Sequence, residues 1–381
     1  MRFYEFINEN EVLQEGGKSD GTRYNTEVGL MLGFLGLPAE GFDPYNPEIA
    51  FEPVADFIAD PDKFYKEVKK FLAPNFDPAV FTSWVGKGQA YINIIKNKMA
   101  SAGDTVPDQL GWSGGSNINE EGAADVIFFG SENQGASVKA ETGITLKNLT
   151  PKAIGLETER GEDVFSKYAL QEYVDMKQQI FTDVLNIAME QPDVLFAPKQ
   201  PKYGITYNSA TDDFTLAFKG TTKKMNAQQI MSQINRNATW QRVFGDWFVA
   251  NWQTKKGYAQ PLFNKLAQVF EQQIEQTLQD SKSLQKVLAM SKRSYFYTSA
   301  NHLYYVPSVS EASDLRVKGV RYGEPDGTSQ KFIVLVGRED SEESAKILVY
   351  IRYANGMFEA NPTVRVQELR DPEFISWEKL V

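Results

Sequence analysis

The stretch that most constrains this chain is residues 122–142, GAADVIFFGSENQGASVKAET. Val126, Ile127, Phe128 and Phe129 form a short apolar run that opens directly after Asp125. A polar turn follows at residues 130–134, and residues 135–141 then alternate polar and apolar. Apolar runs of this length, bounded by glycine and polar turn residues, predict a β-hairpin. Side chains alternate across a strand, so Ser137, Lys139 and Glu141 share one face, and Ala136, Val138 and Ala140 the other. Pairing Phe129 with Gly135 sets Asp125 opposite Lys139 and diagonal to Glu141, and a slip of one residue would turn that polar group away from Asp125.

Composition limits the chemistry open to such a hairpin. The chain has 381 residues and no cysteine, which excludes disulfides, thiolate zinc sites and a cysteine nucleophile. Its single histidine, His302, excludes a His-rich metal site and argues against a Ser-His-Asp triad. A metal here would be a hard cation on carboxylates, of which there is no shortage among 50 Asp and Glu. The net charge of −10 argues against a protein that coats nucleic acid. The acidity is uneven, however: residues 1–60 hold twelve acids against three bases, and the remainder is nearly balanced. That leaves room for local basic surfaces. Met1 to Asn10 carries acids where a signal peptide has its apolar core, and no apolar run approaches membrane-spanning length. A soluble, intracellular and cytoplasmic protein with no membrane partner is expected.

Along the chain, residues 16–22 (GGKSDGT) predict a flexible turn. They are not a phosphate loop, because Val12 stands where its first glycine belongs. Asn25 or Thr26 is placed to cap a helix through Val28, Leu30, Met31, Leu32, Phe34 and Leu35, with Glu27 in its first turn. The Pro- and Asp-rich region at about 40–105 reads as a helical insertion, with helices near 53–60, 61–73 and 79–100. Residues 110–124 form a Gly/Ser loop leading into the hairpin. A long helix at 162–190, a hairpin at 203–218 and further helices at 226–236, around Trp240–Trp252 and at 259–290 follow. The Trp stripe at helical spacing reads as core rather than a base-stacking platform. From Ser294 the pattern turns to strands, punctuated by Pro325-Asp326-Gly327 and Asn355-Gly356. Three regions result: 1–155, 156–290 and 291–381. His302 reads as a packed or surface residue, and Arg352 as a member of a structural ion pair, with a DNA contact as the alternative.

An acid at the start of one strand, a short loop, and a strand with an acid near a lysine resembles the PD-(D/E)xK nuclease superfamily, its restriction-endonuclease-type members in particular. The resemblance covers mainly residues 23–37 and 111–150. It implies an α/β (α+β) fold: a mixed-sheet core flanked by helices, with the helical insertion and a β-rich C-terminal part. It implies Asp125 as the first metal-binding acid, Lys139 as the catalytic lysine and Glu27 as the helix-borne glutamate. The second acid should stand at position 137, which is Ser137, and Glu141 is the substitute on the same strand face. Ser137 would then support a metal-binding carboxylate through its hydroxyl. The cofactor implied is Mg²⁺, with Mn²⁺ as an alternative, and the substrate is double-stranded DNA, cut by a possible homodimer. Lys147, Lys152, Ser113, Ser116 and Asn117 are the expected DNA contacts. The competing reading is a non-enzymatic structural or interaction protein on a degenerate nuclease-like fold, favoured by the missing acid at position 137.

Overall fold

A computed structural model describes residues 19–113, 124–140, 144, 146–156, 165, 171–191, 203–218, 220–236, 238–323, 329–353 and 362–381. The first helix, α1 (Ser19–Phe34), is buried at every residue from Asn25 to Phe34. It starts six residues before the expected cap, so residues 19–22 are helix rather than turn and Glu27 lies in the helix interior. Two local bonds account for this. Arg23 pairs with Glu27 one turn on, and the Thr26 hydroxyl donates to Arg23 O rather than to a capped N–H. Asn25 bonds far from its own helix: its amide donates to Asn75 O at 2.7 Å, and its side-chain oxygen accepts from Asp77 N at 2.9 Å.

Residues 47–101 are mostly helical, as α2 (Pro47–Phe51), α3 (Pro61–Glu67) and α4 (Pro78–Ser101), but the helix expected near 53–60 is a short 3-10 segment at Glu52–Phe57. Each of these three α-helices begins at a proline, whose missing N–H costs nothing in a first helical turn. Asp77 caps α4 through Ala79 N and Val80 N. Helices α1 and α4 cross closely at glycines. A Cβ on Gly33 would stand 2.2 Å from Val85 O, and one on Gly88 would stand 2.4 Å from Leu30 O.

Three sheets follow. The first has the order β1 (Gln109–Trp112), β2 (Val126–Phe129), β3 (Gly135–Val138), β8 (Tyr295–Thr298), β9 (Leu303–Val306), β14 (Glu378–Lys379). It is mixed: β3 and β8 run parallel, and the other pairs are antiparallel. The chain thus returns, some 150 residues after the hairpin, to complete the sheet the hairpin began. A second, antiparallel sheet has the order β10 (Leu315–Tyr322), β11 (Ser329–Arg338), β12 (Ala345–Arg352), β13 (Thr363–Arg370), β4 (Lys147–Leu149). A small third sheet holds β5 (Tyr203–Asn208), β6 (Asp213–Phe218) and β7 (Thr221–Met225). Helices α5 (Gln171–Glu190), α6 (Ala227–Arg236), α7 (Ala238–Ala250), α8 (Trp252–Leu278) and α9 (Ser281–Val287) complete the described elements. This is the α+β class with the mixed sheet that the sequence led us to expect.

The first sheet separates two cores. Val126, Phe128, Ala136, Val138 and Phe296 pack with α1 and α4. Tyr295, Tyr297, Tyr304 and Val306 pack with the second sheet and the later helices, including Trp240, Phe244, Trp247 and Phe248 of α7. The Trp stripe is core, as its spacing predicts. The Asn355-Gly356 turn and the Pro325-Asp326-Gly327 turn lie outside the described residues.

The glycine crossing sets the depth of α1. Gly33→Ala or Gly88→Ala forces the helices apart and lowers unfolding free energy by about 1–3 kcal/mol, as overpacking does. Gly86 lies on the exposed side of α4 with open space around it. Gly86→Ala therefore raises stability by roughly 0.5–1 kcal/mol through helix propensity. Urea denaturation of the three variants checks this, and equal effects at the three positions would refute the crossing as the constraint.

Candidate functional site

The site assembles where α1 passes the paired ends of β1, β2, β3 and β8. The hairpin ladder pairs Val126 with Ala136 and Ile127 with Gly135. That is two residues away from the expected register, so Asp125 lies beside Ser137 rather than opposite Lys139. A shift of two does not reverse side-chain parity, so the polar group still gathers at Asp125. The shift follows from the turn. Gly130 and Gly135 both have positive φ, and a Cβ on Gly135 would lie 2.0 Å from Val126 O. Asp104 holds the turn from outside, accepting from Ser131 Oγ and from the N–H groups of Glu132 and Asn133.

Asp125 Oδ2 accepts from Val138 N at 2.7 Å and Ser137 Oγ at 3.3 Å, and Lys139 Nζ stands 3.6 Å away. Lys139 is fixed in turn by β8, because its N–H donates to Thr298 O, while the Thr298 hydroxyl donates to Ser137 O. From the helix side, Arg23 reaches both carboxylates. Its Nε lies 2.6 Å from Glu27 Oε1, and its Nη2 lies 3.9 Å from Asp125 Oδ1. Trp112 Nε1 donates to Glu27 Oε2 at 2.7 Å. Asp125 therefore gathers Ser137 and Lys139 from the hairpin, and Arg23 links it to Glu27 on α1. Arg23 and Trp112 complete the group and were not anticipated. The four-residue spacing of Arg23 and Glu27 was the available signal for the first. Nothing local marks the second, since Trp112 is 85 residues from its partner.

The other expected residues are placed differently. Ser113 is buried, and its N–H donates to Asp125 O, so it holds β1 against β2. Lys147 sits in β4 at the margin of the second sheet, and Lys152 is exposed in a short turn at Pro151–Ile154. Glu141, Ser116 and Asn117 lie outside the described residues. His302 lies in the turn between β8 and β9, where its carbonyl accepts from Ser299 N.

Electrostatics single out Glu27. Burial, followed by repulsion from Asp125, raises its carboxyl to about 7, outweighing the opposing bonds from Arg23 and Trp112. Arg23 is driven the other way. Burial disfavours its charge, but Glu27 and then Asp125 hold its pKa above the ordinary value. Two repelling carboxylates with a neighbouring hydroxyl form a donor set that suits a hard divalent cation. Magnesium takes one or two carboxylates and keeps several waters, so it needs no all-protein cage. Among the described residues no cluster of three or more His, Asp or Glu offers such a cage. Also among the described residues, no helix is long and apolar enough to cross a membrane. The chain matches no known family model, no curated protein and no solved structure.

The raised Glu27 pKa has a defined sign. The folded value, about 7, exceeds the ordinary 4.5, so the stabilisation it gives is complete below pH 4.5 and lost as pH rises to 7. Its size is on the order of 3 kcal/mol. Glu27→Gln keeps an acceptor for Trp112 and removes the titration. In EDTA, urea unfolding at pH 5 and pH 7.5 should show wild type losing more stability than the variant over that interval. Parallel losses would disprove the assignment.

Proposed function

We propose that this protein is a Mg²⁺-dependent endonuclease that hydrolyses phosphodiester bonds of double-stranded DNA. The observation that carries this reading is Asp125 with Ser137 and Lys139 beside it, facing a second carboxylate, Glu27, that it repels and to which Arg23 links it. Asp125 and Glu27 would hold the metal. When bound, it polarises a phosphate oxygen and lowers the pKa of an attacking water.

The chain's own residues supply the rest. Lys139 is anchored through its backbone to β8 and directed at Asp125. There it orients the attacking water and offsets charge that builds on the phosphate. Ser137 and Val138 N–H hold the Asp125 carboxylate in one orientation. Arg23 is half exposed, and its guanidinium spans the two carboxylates, so it is also placed to bond a phosphate oxygen.

One observation favours a second reading, a non-enzymatic interaction protein. Both Glu27 oxygens and Asp125 Oδ2 are already bonded within the protein, and position 137 lacks a carboxylate. A single assay separates the two readings. Plasmid DNA incubated with Mg²⁺ should be cut, and EDTA should abolish cutting. Asp125→Asn should lower the rate at least 10³-fold, and Lys139→Ala by about 10²–10⁴, the range for a positioned proton-transfer group. Cleavage that survives both substitutions would remove this site. Failure of the intact protein to cut varied DNA, together with no Mg²⁺ binding by calorimetry, would establish the second reading.

A further inference from the structure

At its β1–β2 end the first sheet has one face in the core and the other turned outward. Ile58, Leu110, Trp112, Val126 and Phe128 pack with α1 and α4. Side chains alternate across a strand, so Gln109, Gly111, Ile127 and Phe129 lie on the opposite face of β1 and β2. Phe57 joins them there. Its neighbour Ile58 bridges Leu110 in parallel, and Gln109 Nε2 donates to Asp56 O at 3.1 Å. The Phe129 ring lies across Gly111, where a Cβ would stand 2.7 Å from it. Val106 belongs to a stretch clamped against the same end of β2, since the Thr105 hydroxyl donates to Gly130 O and Asp108 N–H to Phe129 O. Phe57, Val106 and Phe129 are 55%, 47% and 44% exposed, which leaves apolar surface from three segments open on one side of the molecule. Apolar surface gathered in this way and rimmed by polar residues marks an interaction site.

The rim is acidic. Residues 24–62 hold eight acids and residues 99–138 hold six, and neither segment contains a lysine, an arginine or a histidine. The face is built wholly from these two segments. Glu52, Asp56, Asp108 and Glu132 are exposed and, among the described residues, form no ion pair. Arg293 is a cation at the margin, where it donates to Ser131 O in the hairpin turn. The unpaired carboxylates therefore direct a negative field outward around an apolar centre.

We propose that this face docks a basic amphipathic segment of a partner protein. The segment's apolar side chains would seat on Phe57, Val106 and Phe129, and its lysines or arginines would pair with Asp56, Asp108 and Glu132. Aromatic side chains ringed by polar groups anchor such contacts. Complementary charge selects the partner and speeds its arrival. A second copy of this chain fits less well, because a two-fold contact through this face sets the same acids against each other. Anionic lipid and nucleic acid are repelled by them. Phe129 stands four residues along β2 from Asp125, about 13 Å away. The inference thus goes beyond the cleavage reading and does not require Asp125 to be catalytic.

The probe is a fluorescein-labelled peptide of about 15 residues, leucine and lysine at amphipathic helical spacing. It is titrated with the full chain at several salt concentrations and read by fluorescence anisotropy, with a matched leucine and glutamate peptide as reference. The lysine peptide should bind, and roughly tenfold or more weakly at high salt than at low, and the glutamate peptide should not bind. Phe57→Ser/Phe129→Ser should weaken binding roughly tenfold or more, as loss of aromatic anchors does. Asp56→Asn/Asp108→Asn should weaken it and flatten the salt dependence. Glu342→Gln/Glu343→Gln, which removes two exposed acids elsewhere, should change neither. Circular dichroism of all three variants should match wild type. Equal weakening by the two acid pairs overturns the proposal. So does a lysine peptide that fails to bind, or that binds Phe57→Ser/Phe129→Ser as it binds wild type. A wild-type dimer in sedimentation that this same variant dissociates overturns it too, since the occupant is then a second copy.

Discussion

The structure depends on a carboxylate in the middle of a buried helix. Glu27 has no exposed surface, and a charge there is tolerated only with partners. Those partners come from one turn back, Arg23, and from β1, Trp112. Meeting both requires α1 to lie close against the ends of the first sheet. The glycines at the α1–α4 crossing permit that depth, and Asn25 fixes the other end of the contact through Asn75 and Asp77. The helices of residues 47–101 are thus a support that packs α1 onto the sheet. It need not touch the site to matter for it.

The sheet supplies the opposing half. β3 alone is a four-residue strand, too short to hold Lys139 firmly. The parallel strand β8 fixes it by bonding Lys139 N and Ser137 O. Because β8 belongs to a segment far along the chain, the site exists only once that segment has returned. The two cores on either side of the sheet are then coupled through a shared layer: Phe296 faces one, while Tyr295 and Tyr297 face the other.

Much of this was legible in the residues. The hairpin, the helices of residues 47–101, the Trp-rich core helix and the late strands follow from periodicity and turn chemistry. The departures have physical causes. The helix start was misplaced because Asn25 and Thr26 look like caps, yet Asn25 spends its side chain on a loop fifty residues away. The register was misplaced by two because Gly135, at a φ of 137°, lets the backbone of β3 approach Val126 more closely than a strand with a side chain there would.

The sequence by itself determined the elements, since hydrophobic period and turn residues act over a few positions. It also determined the inventory of chemistry: no thiol, one imidazole, many carboxylates, and an acid and a lysine on one hairpin. Tertiary structure decided which of those groups share a volume. The hairpin at residues 122–142 marked where to look, but Arg23, Glu27 and Trp112 join Asp125 and Lys139 only through contacts between distant segments. A buried charge changes its properties only when such contacts exist, because desolvation and repulsion depend on distance in space and not along the chain.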